Sequence, residues 1–193
     1  MLLRHKSLLF LVLVAGVSLG AAGWLLAAGL SHGQAERQAR DLWKLADGQR
    51  AQKKYENAIK AYEKSLEILA QSTVNNMTGD KTTLGMAAKQ MIELCKAMPI
   101  DVTKLKDGTY EGKAWGYQAE LTVEITLAGG RIKQFKIVEQ KESAPRKSLE
   151  IVPKLIMSKQ SCSVDAVSGA TTTSYGLMTA TQRSLDKAKP DAK

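Results

Sequence analysis

The hydrophobic period of the chain changes near Leu105, and that change limits what it can fold into. From about residue 34 to residue 98, apolar residues recur every three or four positions, the spacing of one helix face. Beyond Leu105 they alternate. In ELTVEITLAGGRIKQFKIVEQ, Leu121, Val123, Ile125 and Leu127 alternate with Thr122, Glu124 and Thr126. Gly129-Gly130 supplies the turn, and Ile132, Phe135 and Ile137 lie on the return strand. The preceding DGTYEGKAWG reads as an edge strand. SLEIVPKLIMSKQ is predicted helical in parts around Pro153, and a last helix is predicted from about Thr172 to Lys187. The expectation is an α+β fold: a small antiparallel sheet packed by helices over residues 105–189, with a tail at 190–193.

The helical part divides at a turn. Leu42, Leu45 and Ala46 mark a first buried stripe, Gly48 and QRAQKK lie near the turn, and Tyr55, Ile59, Tyr62, Leu66 and Leu69 mark a second. KKYENAIKAYEKSLEI resembles the second half of a tetratricopeptide repeat, with Tyr55, Ala58 and Tyr62 matching and Gln49 and Ser65 departing. One hairpin cannot bury its own face, so residues 33–98 are expected to form a TPR-like hairpin stalk, a spacer or docking element, plus a third helix. That helix carries Leu84, Ala88, Met91, Cys95 and Met98 and stops before Pro99. QSTVNNMTGDKTT, between the second and third helices, reads as a loop containing a formal glycosylation sequon at Asn76.

Residues 7–30 carry no charge. At about 1.5 Å per residue they are long enough for a bilayer core of roughly 30 Å, and longer than the apolar core of about 7–15 residues usual in a cleaved signal. Residues 1–32 are therefore expected to be a single-pass membrane anchor, although small residues near Gly20–Gly23 and Ala27–Gly29 offer a cleavage site. Arg4 and Lys6 favour a cytoplasmic N-terminus and an extracytoplasmic soluble part. Gly16 and Gly20 have the spacing that admits a second helix.

The net charge of +9 raises nucleic acid as a partner. The basic residues are scattered among acidic ones with no interleaved aromatic tract, so no nucleic-acid partner is expected. The only histidines, His5 and His32, flank the apolar segment. That removes histidine triads and the usual zinc sets from everything that follows, and no catalytic or metal-ligating residue is assigned. Cys95 and Cys162 are either a pair in an oxidising compartment or two partly buried thiols.

Chemistry concentrates at DAVSGATTTSYG, residues 165–176, where Ser168, Thr171, Thr172, Thr173, Ser174 and Tyr175 surround Gly169 and Ala170 ahead of a helix. Such a cluster can cap the helix, hold a phosphate, supply a nucleophile or be modified by an enzyme. One of the hydroxyls is expected to be the N-cap. Small residues before Thr171 leave its hydroxyl accessible, and a phosphate there would face the helix N-terminus. A nucleophilic threonine needs an adjacent base, and only Asp165 is near.

Asp165-Ala166-Val167-Ser168-Gly169-Ala170-Thr171-Thr172-Thr173-Ser174 closely resembles the flavinylation motif of the FMN-binding domain family. That family includes domains of the C subunit of the sodium-translocating NADH:quinone reductase and of the G subunit of the Rnf complex. The likeness runs from about Asp107 to Ala188, through GTYEG, LTVEIT, GGRI and DAVSGATTTS in order. It implies FMN joined through its phosphate to Thr171 by a separate magnesium-dependent flavin transferase with FAD as donor. Asp165, Ser168, Gly169 and Ala170 would form the recognised sequence, and Thr172, Thr173 and Ser174 would cap the helix and contact the phosphate. Tyr110, Trp115, Tyr117 and Tyr175 are candidates for stacking on the flavin ring. EQKESAP, residues 139–145, departs from the relatives' EHxETPG: Gln140 replaces the histidine, and Ser143 and Ala144 alter a loop that lies near the flavin in the family.

The implied function is a membrane-anchored, extracytoplasmic electron carrier on the periplasmic side, with redox partners in or outside the membrane. A docking adaptor that has lost its flavin, and a flavin reductase with its own small substrate, are the alternatives.

Overall fold

The computed structural model describes residues 30–143 and 147–190. Nearly all of the expected anchor at 7–30 lies outside them; among the described residues no helix is long and apolar enough to cross a membrane.

Helix α1 (His32–Ala51) opens on Ser31, whose hydroxyl accepts from the Gln34 N–H while the Gln34 side chain reaches back to the Ser31 N–H. This reciprocal pair satisfies two otherwise free donors. Helix α2 (Tyr55–Ala70) returns antiparallel after a turn in which Lys53 has a φ of 59°. The buried face of α1 is Ala35, Ala39, Trp43, Ala46 and Arg50, so the expected stripe is corrected: Leu42 is half-buried and Leu45 is 54% exposed. Trp43 takes the inward place because its indole N–H finds a partner there, the Ser65 hydroxyl at 3.0 Å.

The segment expected to be a plain loop forms a two-residue ribbon, β1 (Thr73–Val74) with β2 (Met77–Thr78), around Asn75-Asn76. Helix α3 (Thr83–Ala97) buries Leu84, Ala88, Met91 and Cys95, as its spacing predicts. Both cysteines are free and buried; Cys162 contacts the Met98 sulfur at 3.7 Å rather than Cys95. Burial pushes the Cys95 thiol up to about 11 and that of Cys162 to about 12.

The sheet is β3 (Gly108–Trp115), β4 (Glu120–Ala128) and β5 (Arg131–Glu139), antiparallel in that order. Leu121, Val123, Ile125 and Leu127 form its inner face. The two edges are closed by glutamine side chains that imitate a neighbouring strand. Gln90 of α3 gives to the Trp115 carbonyl at 2.9 Å and takes from its N–H at 2.7 Å. Gln160 does the same at Ile132, at 3.1 and 2.7 Å. Each satisfies one residue of an edge that would otherwise stay open.

Helix α4 (Lys147–Lys159) is continuous through Pro153, where interruption was expected. Helix α5 (Thr171–Lys187) lies at the centre, on β3 and β4 on one side and against α3 on the other. Its approach to β3 depends on Gly112 and Gly176: a Cβ on either would fall within 2.6 Å of backbone oxygen. The helical layer is therefore not a free-standing stalk. It shares one apolar core with the sheet, and a buried polar cluster joins them. Asp47 accepts from the hydroxyls of Tyr62 and Tyr175, each at 2.7 Å, and pairs with Arg50 at 3.0 Å. Arg50 in turn reaches the Val164 carbonyl at 2.7 Å and the Ser163 hydroxyl at 3.1 Å.

Candidate functional site

The site begins with a turn. The Ala170 N–H bonds to the Val167 carbonyl at 2.9 Å, closing Val167-Ser168-Gly169-Ala170, and Gly169 takes a φ of 77° at the third position. A positive φ there favours glycine. Space is open beside it, since an added Cβ would meet nothing within 4 Å. Ser174 holds the turn at both ends: its hydroxyl accepts from the Val167 N–H at 3.0 Å and donates to the Ala170 carbonyl at 2.8 Å.

Helix α5 then starts at Thr171 behind Ala170, without a side-chain cap. This corrects the expectation that Thr172, Thr173 or Ser174 caps it. Ser174 is committed to the turn, and the Thr173 hydroxyl donates to Oε2 of Glu142. Among the described residues, no bond satisfies the N–H groups of Thr171, Thr172 and Thr173, nor the Thr171 hydroxyl. Unpaired N–H groups at the start of a helix form an anion site.

These donors face a cleft of about 420 Å³ lined by Gly169, Ala170, Thr171, Thr172 and Thr173. Tyr117 and the Glu142-Ser143 segment line it from the sheet, and Arg40 from α1. Glu142 is buried, with Oε1 accepting from the Gln118 N–H at 3.1 Å, so its two oxygens tie the turn after β3 to the first turn of α5. A more open hollow of about 600 Å³, by Lys53, Lys54, Tyr55 and Lys96, holds none of the expected site residues.

The structure thus gathers Gly169, Ala170, Thr171, Thr172 and Thr173 at one cleft, but not every candidate. Ser168 is exposed on the turn outside the cleft lining, and Asp165 is exposed and bonded to Lys159 at 2.9 Å. That bond with Lys159 holds the Asp165 carboxyl below its usual range. Of the four aromatic candidates only Tyr117, 59% exposed, lines the cleft. Tyr175 is corrected outright: it is fully buried, with its ring 5.3 Å from Trp43 and 6.1 Å from Tyr62. Burial, with Tyr62 and Asp47 nearby, raises its pKa and keeps it a donor to Asp47. Tyr110 is tied to the Lys106 and Asp107 carbonyls, and Trp115 lies outside the lining. Sequence reasoning missed Arg40, which carries no local motif. It also passed over Glu142, whose signal was its place in EQKESAP.

This geometry is that of a small α+β module whose cleft offers hydroxyl and backbone donors to an anion. Residues 116–186 match the family model of the FMN-binding domain. That part of the chain is an FMN-binding domain, and FMN is its cofactor. The residues present fit the group, since three backbone donors, a free hydroxyl and an arginine meet at one cleft. An uncharacterized protein of Treponema pallidum (strain Nichols) is 34% identical over 97 residues, or 49% of this chain. The chain covers 27% of that protein's length.

Proposed function

We propose that the chain is an electron carrier holding FMN covalently through a phosphoester on Thr171, tethered to a membrane by residues 7–30 with its folded part outside the cytoplasm. The observation that carries the attachment is the state of Thr171. It is the first residue of α5, half-exposed in the cleft, with a hydroxyl that no group engages among the described residues.

Attachment is assigned to an external enzyme, because among the described residues no histidine lines the cleft and Asp165 is turned to Lys159. A magnesium-dependent flavin transferase would join the Thr171 oxygen to the FMN phosphorus of FAD, with AMP leaving and the hydroxyl proton lost. The turn fixed by Ser174 would present the hydroxyl for that transfer, and the N–H groups of α5 would hold the phosphate oxygens. The chemistry supplied by a bound FMN would be two-electron uptake with one-electron release, and the protein would supply position and electrostatics. Tyr117 offers the ring a surface at the cleft mouth. Redox partners in or beside the membrane would donate and accept the electrons.

The test is the intact mass of the chain produced with an active transferase, wild type against Thr171→Ala. The wild type is expected to gain one FMN less one water, and the variant nothing. Bare polypeptide mass in both would sink the covalent carrier and favour a docking adaptor.

A further inference from the structure

We infer that Arg40, on helix α1 and 76 residues before the matched segment begins, is the cationic partner of the flavin phosphate. This rests on the cleft as the flavin site, but not on the covalent bond.

The placement follows from the helix period. Arg40, Trp43 and Asp47 are spaced by three and four, so they share one face of α1. Trp43 packs its ring on Tyr175, and Asp47 accepts the Tyr175 hydroxyl. Tyr175 lies one turn beyond Thr171 on α5. Arg40, one turn before Trp43 on that face, lines the same cleft as Thr171, Thr172 and Thr173.

The Arg40 side chain is exposed, and its charge has no protein partner among the described residues. Among the described residues Arg40 makes no hydrogen bond or ion pair, while the acids of its own helix are engaged: Glu36 with His32, Asp41 with Lys44, and Asp47 with Arg50. In the cleft itself, the Glu142 oxygens accept from Gln118 and Thr173. A guanidinium presents a planar fork that suits phosphate oxygens, and three free N–H groups already favour an anion at this point. The helical layer thus completes the cofactor site as well as covering α5.

The test uses the full chain without attached flavin, titrated with FMN and with riboflavin, which lacks the phosphate. Wild type, Arg40→Ala, Arg40→Lys and Lys44→Ala are compared by flavin fluorescence. Lys44 is a same-charge control on α1 that pairs only with Asp41. Arg40→Ala is expected to weaken FMN about tenfold or more and leave riboflavin unchanged, with partial recovery in Arg40→Lys and no change in Lys44→Ala. Equal affinity of the wild type for FMN and riboflavin would overturn the inference, as would parallel or absent losses in Arg40→Ala. A missing adduct in the Thr171 mass test strikes the covalent proposal instead.

Discussion

Helices α1 and α5 both begin beside hydroxyl residues, and they use them in opposite ways. At α1, a single serine and the glutamine three residues later close a reciprocal cap. At α5, Ser168 and the run from Thr171 to Ser174 supply five hydroxyls and no cap. The first arrangement satisfies its helix locally. The second leaves N–H donors for an anion and transfers the task of fixing the helix start to other elements: Glu142 through Thr173, the turn through Ser174, and Asp47 through Tyr175. A hydroxyl-rich helix start is therefore not evidently a cap. Its role depends on what the side chains meet across the fold.

The strongest way to break this contrast is to remove the support that α5 draws from α1. Asp47→Ala leaves Arg50 buried without its carboxylate and takes the acceptor from two buried tyrosines. We expect a loss of about 3–5 kcal/mol, the usual cost of breaking a buried pair, by urea unfolding of the flavin-free chain. A loss below about 1 kcal/mol would mean that this network does not hold α5 in place.

The two helix starts can then be compared directly. Ser31→Ala should cost about 1 kcal/mol, as the loss of a cap does. Thr171→Ala in the flavin-free chain should stay within about 0.5 kcal/mol of wild type, because no hydrogen bond is lost. If Thr171→Ala cost as much as Ser31→Ala, Thr171 would be serving the helix and the contrast would collapse.

The smallest effect concerns the approach to the turn. Lys159 holds the Asp165 carboxyl below the usual carboxylate range. Since its pKa is lower folded than unfolded, its contribution is present above that range and fades as pH falls through the folded value. The pair is exposed, so the contribution is slight. Melting temperatures from neutral pH down to about pH 3 should show a shallower acid loss for Asp165→Asn than for wild type. Identical slopes would show that the pair adds nothing to the turn.

Much of the fold was legible in the sequence. The β4–β5 hairpin follows from the apolar alternation along β4 and Gly129-Gly130, and the buried positions of α3 follow from their spacing. Less legible was α5. TTTSYGLMTATQRSLDK reads as a moderately polar helix, yet Thr179, Thr181 and Ser184 are buried along it. Thr181 and Ser184 return their hydroxyls to carbonyls four residues back, at 2.7 and 3.0 Å. Small hydroxyl residues satisfied in this way let a helix sit in the interior, and Gly176 brings it against β3. Periodicity registers only how apolar a face is. It cannot register polar groups that are satisfied by their own helix.

The site divides in the same way. By itself the sequence determined the turn and the placement of Thr171: Ser168-Gly169-Ala170 before Thr171 makes a sharp bend and an accessible hydroxyl, because both depend on the conformation of adjacent residues. The family match extends over residues 116–186, well beyond that turn. Only the tertiary structure decided that Tyr175 is interior, that Glu142 turns in to Thr173, and that Arg40 reaches the cleft from α1. Those placements come from packing between segments up to about 130 residues apart, where no local rule links the partners.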